Sequence, residues 1–209
     1  MKRIKRALTF TDDQFGKLWR LVAQESTLPE RDHLILALSF KAGLRVGEIQ
    51  KIDLKAMLDV EGNPADKISV FSNVAKKQRA REIPMHNLVR KALVAFMRAY
   101  PNATFVAISS QPFQHIVKKG GRVPLDATFK RMSLSALTVH YWLLVNKAGF
   151  VGASSHSGRR TFGTKMARQA NLHHCSIRDV QILMGHARLE TTEEYIELSE
   201  DASSLINAI

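Results

Sequence analysis

The stretch LMGHARLETTEEYIE, residues 183–197, places a histidine nine residues before a tyrosine near the end of the 209-residue chain. Gly185 is expected to end a helix, which leaves His186 at an irregular corner and Tyr195 inside the next helix. A tyrosine hydroxyl can act as a nucleophile, and an imidazole can exchange a proton near neutral pH. Tyrosines on amphipathic helices are more often half-buried anchors, so this stretch alone favours a structural role for Tyr195.

A second segment, HSGRR at residues 156–160, carries cationic side chains with helical spacing. Because His156 and Arg159 are three residues apart, they would share one helix face. An arginine fork matches two phosphate oxygens, and a histidine beside it can accept or donate a proton. The segment is equally compatible with a solvated basic helix face, since such faces are common.

Two further segments place basic residues where the backbone is expected to turn. In AGLRVGEI, residues 42–49, Arg45 lies between Gly43 and Gly47 and would either hold a ligand or cap the preceding helix. In AKKQRAREIP, residues 75–84, Lys76 and Lys77 lie in a turn between strands, from which lysines can reach phosphates. Exposed turns favour polar residues in any case, so neither segment predicts a site by itself.

In this order, the four segments together resemble the tyrosine recombinase (phage integrase) family. The family pattern has a Gly-Leu-Arg-x-x-Glu-like segment, a hairpin lysine eight residues before a proline, and a His-x-x-Arg helix start. A Leu-Gly-His corner follows, and then a tyrosine nine residues later in a Thr-Thr-x-x-Tyr context. This chain matches the pattern with GLRVGEI, Lys76 and Pro84, HSGR, MGH and TTEEY, over a region from about Leu8 to Leu198.

Three departures from the family pattern accompany this resemblance. Arg160 stands where the family usually has a histidine, and Met184 stands where it usually has a leucine. Lys77, next to Lys76, is a second candidate for the hairpin lysine. Residues 101–132 match no part of the pattern.

The resemblance implies transesterification at a DNA phosphodiester. Tyr195 would attack the scissile phosphate, form a 3′-phosphotyrosyl link and release a 5′-hydroxyl. Arg45 and Arg159 would clamp the non-bridging oxygens, where negative charge increases in the transition state. His186 would add a hydrogen bond to the same oxygens.

Proton transfer is implied at two further residues. Lys76 would protonate the leaving 5′-oxygen, and His156 would accept or help to remove the proton of the tyrosine hydroxyl. Carboxylates aimed at that hydroxyl would oppose loss of its proton, so Glu193 and Glu194 are expected to face solvent or a partner. Neither a metal nor ATP is expected, because the covalent link conserves the energy of the broken bond.

The formal net charge of +12 and the pI near 10.1 indicate a polyanionic partner, most commonly nucleic acid. The resemblance implies that this nucleic acid is double-stranded DNA. Groove contacts are predicted for the region from Gln111 to Arg131 and for the helix from Ser133 to Lys147. The basic residues predicted to contact DNA are Lys77, Arg79, Arg81, Lys118, Lys119, Arg122, Lys130, Arg131 and Arg160.

The C-terminal segment is acidic and partly apolar, in contrast to the basic body. The resemblance implies a homo-oligomer on DNA, a tetrameric synapse, in which a C-terminal helix docks on a neighbouring protomer. Packing of that helix within its own chain is an equal alternative.

Composition also limits the compartment. A lone cysteine, Cys175, excludes an intrachain disulfide and fits a reducing environment. We expect no signal peptide and no membrane span, and hence a cytoplasmic protein. The resemblance implies that a bacterium, phage or mobile element encodes it. NLHHC at residues 171–175 lacks a second group of ligands, so we expect surface histidines there and no metal.

The elements that must position these residues are mostly helical. We predict helices beginning after Thr11, near Pro29, at Val46, at His86, at Ser135, at His156 and after Ser176, with Ser154 or Ser155 capping the one at His156. Thr191 or Thr192 is predicted to cap the last helix. Two strands are predicted, at 67–71 and 79–83, and residues 101–132 are expected to be irregular. The fold class is therefore mainly α with a small antiparallel β-sheet (α+β).

Residues 1–10 are predicted to be a tail or linker, and residues 11–209 a tyrosine recombinase catalytic domain. The N-terminal core-binding domain typical of the family is expected to be absent, which would indicate either an excised domain or a short recombinase. Two other functions stay open. One is type IB topoisomerase-like DNA relaxation, and the other is a non-catalytic DNA-binding module on the same fold.

Overall fold

A computed structural model describes residues 7–74, 80–193 and 195 of the chain. These residues form helices and two strands, with short 3-10 turns at Leu54–Met57, Gln111–Phe113 and Asn171–His173. The elements in chain order are α1 (Asp12–Glu25), α2 (Pro29–Lys41), α3 (Val46–Lys51), β1 (Lys67–Val70), β2 (Arg81–Pro84), α4 (Asn87–Ala99), α5 (Gln114–Lys118), α6 (Leu134–Lys147), α7 (Ser157–Gln169), α8 (Ile177–Met184) and α9 (Glu190–Glu193). The predicted fold class is confirmed.

Helix α2 is the centre of the core. Its residues from Leu34 to Leu38 are fully buried, so the helix is apolar on all sides. Helices α1, α4 and α7 all pack against it. The same core therefore holds the C-terminus of α2, which leads to Arg45, and the N-terminus of α7, which carries Arg159.

The predicted start of α1 is confirmed. The Thr11 hydroxyl accepts a hydrogen bond from the Gln14 backbone, and the Gln14 side chain accepts one from the Thr11 backbone. This capping box satisfies two N–H groups that a helix start otherwise leaves unpaired. Phe15, Leu18 and Val22 then lie on the buried face.

The two strands form an antiparallel pair in which Ile68 lies opposite Ile83. Each strand is shorter than predicted, and Ile68, Val70 and Ile83 point into the core. The connecting turn, residues 75–79, lies outside the described residues, and so do Lys76, Lys77 and Arg79. Within the described part of the chain, no helix is both long and apolar enough to cross a membrane.

Two predicted helix caps are wrong. Helix α7 begins at Ser157 without a side-chain cap, because the Ser154 hydroxyl accepts from the His156 backbone N–H instead. Helix α9 begins at Glu190, which places Thr192 inside the helix with its hydroxyl bonded to His186. In both cases the hydroxyl that was expected to cap the helix forms a hydrogen bond with another group.

Residues 101–132, expected to be irregular, contain a 3-10 turn and the short helix α5. An antiparallel bridge between Asp53 and Phe105 attaches this segment to the rest of the fold, and another between Ile108 and Arg131 joins two parts of the segment itself. The segment is thus part of the fold, although it has little regular structure.

Candidate active site

The turn between α2 and α3 presents Arg45. Gly43 adopts a left-handed conformation (φ 65°), and a Cβ placed on it would lie 2.4 Å from the Phe162 ring of α7. Both the backbone conformation and the lack of space therefore require glycine at this position. The turn leads into α3, where the Glu48 carboxylate accepts from the Arg45 backbone N–H at 2.8 Å and from its Nη1 at 3.1 Å.

Glu48 is also the partner of Arg81. The Arg81 guanidinium donates Nη1 and Nη2 to the two Glu48 oxygens, each at 3.0 Å, and its Nε donates to the Leu183 carbonyl at 3.0 Å. Burial raises the pKa of Glu48, but the hydrogen bonds and charge of Arg81, together with Arg45, outweigh this and leave the pKa below its usual range. Glu48 is therefore a buried carboxylate that joins α3, β2 and the end of α8.

This arrangement corrects the expectation that Arg81 contacts DNA. Its side chain is 4% exposed, and its guanidinium is occupied by Glu48 and Leu183. A cation held in this way cannot turn outward to a DNA backbone without breaking a buried ion pair. Arg81 instead supports the residues around it.

Glu48→Gln should lower the free energy of unfolding by about 3 kcal/mol, because it leaves the buried Arg81 cation without a counter-charge. Urea denaturation followed by circular dichroism would measure the change. Glu82→Gln is the matched control, since Glu82 pairs with Lys67 at the surface with both side chains 61% exposed. That variant should unfold almost as the wild type does, and equal effects in the two variants would contradict a structural role for Glu48.

Arg159 joins the end of α2 to the end of α8. Its Nη1 donates to the Gly43 carbonyl and its Nη2 donates to the Met184 carbonyl, and the residue is 3% exposed. Burial, followed by the nearby charge of Arg45, lowers the pKa of Arg159 to about 10, while Glu48 and Tyr195 act in the opposite direction. A guanidinium with this pKa is still charged at neutral pH, so a fixed cation lies inside the site.

His186 follows Gly185, which ends α8 in a left-handed conformation (φ 61°), as predicted. The ring is nearly buried, and its Nδ1 lies 3.0 Å from the Thr192 hydroxyl. Its backbone carbonyl accepts from the Gln181 side chain at 3.2 Å. Burial, and then the charges of Arg159 and Arg45, lower the pKa of His186 to about 4, so the ring is neutral at physiological pH.

Tyr195 lies beside His186, with ring centroids 5.5 Å apart and an interplanar angle of 27°. Its ring also covers Gly163 of α7, where an added Cβ would be 2.5 Å from the tyrosine Cδ1. Tyr195 is partly buried and Glu193 is exposed, as expected, while Glu194 lies outside the described residues. The predicted group of Arg45, Arg159, His186 and Tyr195 is therefore brought together by α3, α7 and the segment after α8.

The other predicted residues that the structure describes differ in their exposure. His156 precedes α7 and is exposed. Arg160 is partly buried, and its Nε has no hydrogen-bond partner among the residues that the structure describes. Four of the residues predicted to contact DNA are exposed: Lys118, Lys119, Arg122 and Lys130.

Arg131, also predicted to contact DNA, is held by contacts within the fold, but its side chain is 31% exposed and its contact with DNA stays a prediction. Its guanidinium donates to the Asp53 carboxylate at 2.6 Å and to the carbonyls of Gln50 and Lys51, and it lies over the Phe105 ring. These contacts hold the segment before α6 against α3. Its role in the structure is therefore to attach that segment.

Three residues of the site were not predicted from the sequence. Glu48 belongs to the GLRVGEI motif, and its i,i+3 spacing from Arg45 was the available signal. Thr192 and Gly163 carry no such signal, because their contacts with His186 and Tyr195 form only when α7, α8 and α9 pack together. No group of three or more potential metal ligands occurs among the described residues, and His173, His174 and Cys175 are exposed.

Known proteins are similar to this chain over nearly its whole described length. The family model described as the phage integrase family matches residues 9–201. A tyrosine recombinase XerC from Staphylococcus carnosus (strain TM300) is 27% identical over 197 residues, which cover 91% of this chain and 57% of that protein. The chain thus spans little more than half the length of this relative.

Solved structures share the fold. The crystal structure of XerA recombinase has a TM-score of 0.68 and 21% identity, covering 96% of this chain and 64% of that one. A lambda integrase dimer bound to a COC′ core site has a TM-score of 0.63 and 18% identity, covering 94% of this chain and 61% of that one. At these identities the likeness concerns the fold alone.

Proposed function

The chain belongs to the phage integrase family, and from that premise we propose that it is a site-specific DNA recombinase that cleaves and rejoins strands through Tyr195. The observation that carries the proposal is the meeting of a half-buried tyrosine with two arginines and a neutral histidine. Each of these groups has a distinct use in phosphoryl transfer. The residue types alone would also fit a solvated basic surface. Arg159 and His186 are buried, however, which a solvated surface does not explain.

In the proposed reaction, the Tyr195 Oη attacks the phosphorus of a DNA phosphodiester. A Tyr195–phosphate bond forms at the 3′ side and the bond to the 5′-oxygen breaks, so the total number of phosphate ester bonds is unchanged. The tyrosine proton goes to His156 and the leaving 5′-oxygen takes a proton from Lys76, with Lys77 as the alternative donor. Attack by the 5′-hydroxyl of another strand reverses these steps and completes the exchange.

Arg45 and Arg159 stabilise the charge that develops on the non-bridging oxygens. Because Arg159 is fixed by the Gly43 and Met184 carbonyls, it needs no reorganisation when the transition state forms. Arg45 is held by Glu48 but remains 22% exposed in its side chain, so it can face a ligand. A neutral His186 complements them, since it can donate a hydrogen bond without adding a third positive charge.

The proposed partner is double-stranded DNA, with several copies of the chain assembling on it as a tetrameric synapse. The net charge of +12 supports DNA binding, and the exposed lysine and arginine side chains between residues 118 and 130 offer phosphate contacts. Whether a C-terminal helix docks on a neighbouring protomer concerns residues 196–209, which lie outside the described residues. A relative in a bacterium makes a bacterial, phage or mobile-element origin and a cytoplasmic location part of the proposal.

The proposed reaction requires neither ATP nor a metal ion, because the protein's own cations stabilise the transition state and the phosphotyrosyl link keeps the bond energy. A pool of nicked duplexes with randomised arms, incubated with the 209-residue chain, should yield a covalent protein–DNA adduct on a denaturing gel. The adduct should form equally with EDTA and map to the peptide containing Tyr195. DNA binding without any adduct, or an adduct on another residue, would refute the proposal.

A supercoiled plasmid provides a second measurement on the same protein. The plasmid carries the duplex sequence that formed the covalent adduct. Relaxation of a plasmid with one copy of that sequence, without joining to a second copy, would indicate type IB topoisomerase-like activity. Exchange between two copies is the expected result.

A further inference from the structure

The contact between His186 and Thr192 bears on which nitrogen of the histidine ring carries the proton. Thr192 is fully buried, and its hydroxyl lies 3.0 Å from the His186 Nδ1. Its backbone N–H donates to the Leu189 carbonyl at 2.7 Å, which sets the start of α9. The hydroxyl and the ring nitrogen are thus held together by the packing of α8 against α9.

Two hydrogen-bonding arrangements fit this distance. Either the Nδ1–H donates to the hydroxyl oxygen, or the hydroxyl donates to an unprotonated Nδ1. In the first arrangement the hydroxyl hydrogen would have no acceptor among the described residues, although it is completely buried. Folded proteins contain few such groups, so the second arrangement is favoured.

The second arrangement determines where the histidine keeps its proton. A neutral imidazole carries one N–H, so an Nδ1 that accepts leaves the hydrogen on Nε2. The neutral state is supported by burial and by the charges of Arg159 and Arg45, which lower the pKa of His186 to about 4. A ring with its hydrogen on Nε2 is a donor on the side away from Thr192.

We infer that Thr192 is a positioning residue that selects the Nε2–H tautomer of His186, and so makes this histidine a hydrogen-bond donor for a non-bridging phosphate oxygen. The inference about the tautomer depends only on the folded chain. The catalytic role of the Nε2–H donor rests on the proposed function, because that donor is needed only when a phosphodiester is bound beside His186.

The ring is also prevented from leaving this position. The Gln181 side chain holds the His186 carbonyl at 3.2 Å, and the Tyr195 ring stacks beside the imidazole. With the backbone and one ring face fixed, the Thr192 hydroxyl is the polar group among the described residues that distinguishes the two tautomers. Removal of the hydroxyl should therefore change the proton position more than the ring position.

The direct test is nitrogen NMR of the chain labelled with 15N-histidine, without DNA, at neutral pH. The signals of His186 are identified by their loss in His186→Gln. Wild type should show a protonated Nε2 and an unprotonated Nδ1. Thr192→Val, which keeps the shape but lacks the hydroxyl, should show a mixture of tautomers or a protonated Nδ1, and Thr192→Ser should restore the wild-type pattern.

Thr164 provides a matched control within the same fold. It is a buried threonine of α7 whose hydroxyl has no hydrogen-bond partner among the described residues. Thr164→Val makes the same chemical change and should leave the His186 tautomer as in the wild type. A protonated Nδ1 in the wild type, or an unchanged Nε2–H tautomer in Thr192→Val, would overturn the inference.

The consequence for the reaction is a second readout. With the adduct assay described above, Thr192→Val should slow adduct formation by about 10- to 100-fold, by analogy with the loss caused by removing the group that orients a metal-ligating histidine. Thr192→Ser and Thr164→Val should react at nearly the wild-type rate. A wild-type protein that forms no adduct but has the Nε2–H tautomer would refute the proposed function and leave the role of Thr192 intact. A tautomer change in Thr192→Val without any loss of rate would refute the catalytic use.

Discussion

Tyr195→Phe should form no covalent adduct with DNA, while its affinity for the same DNA stays at the wild-type level. The substitution removes one oxygen atom and keeps the ring that stacks on His186 and covers Gly163. Because phenylalanine has no nucleophile, the first bond-forming step cannot occur. Denaturing gels measure the adduct, and fluorescence anisotropy with labelled duplex measures binding.

Tyr100→Phe is the control for this result. The chain has three tyrosines, and the Tyr100 hydroxyl donates to Glu30 at 2.8 Å, on α2 and away from the site. This variant should form the adduct at the wild-type rate. If Tyr195→Phe still forms an adduct that survives denaturation, the nucleophile is another residue and the reaction proposed for this chain is wrong.

Arg159→Ala should slow adduct formation by about 10²–10³-fold, the usual effect of removing one fixed donor from a site that stabilises developing negative charge. Arg159→Lys should lose nearly as much. The guanidinium spans the Gly43 and Met184 carbonyls with two nitrogens, whereas an ammonium is a compact point charge that cannot reproduce this planar arrangement. Single-turnover adduct formation at saturating DNA separates the loss of rate from any loss of binding.

Arg98→Lys makes the same change at an exposed arginine in the last turn of α4 and serves as the control. It should retain the wild-type rate and thermal stability. The role assigned to Arg159 would be contradicted by an Arg159→Lys protein that is folded, as judged by its melting temperature, and reacts at the wild-type rate. Equal losses in both lysine variants would indicate that replacing any arginine impairs the protein, and not that the guanidinium of Arg159 has a specific role.

The sequence predicted structure well wherever neighbouring residues decide it. The capping box of Thr11 and Gln14, the cap at Ser176 and the helix end at Gly185 depend on groups within a few residues of one another. The helix starts after Thr11 and Ser176 and the helix end at Gly185 are found as predicted. The family was also recognised from short motifs, and the match over residues 9–201 confirms it.

Predictions failed where a distant group competes for the same atom. The Thr192 hydroxyl was expected to cap a helix, but the buried His186 ring takes it. The Arg81 guanidinium was expected at a DNA surface, but Glu48, 33 residues earlier, pairs with it inside the fold. In both cases burial favours the internal partner, because an unpaired polar group away from water is costly.

The sequence by itself determined which reactive side chains this protein has, their order, and the helix ends that carry them. Only the tertiary structure decided how those side chains are held and in which state of charge or protonation. Arg159 bridges carbonyls that lie 116 and 25 residues away, and His186 is neutral because it is buried beside that arginine. These properties depend on how α2, α7 and α8 pack, and the contacts and burial that this packing creates are not set by any local pattern of residues.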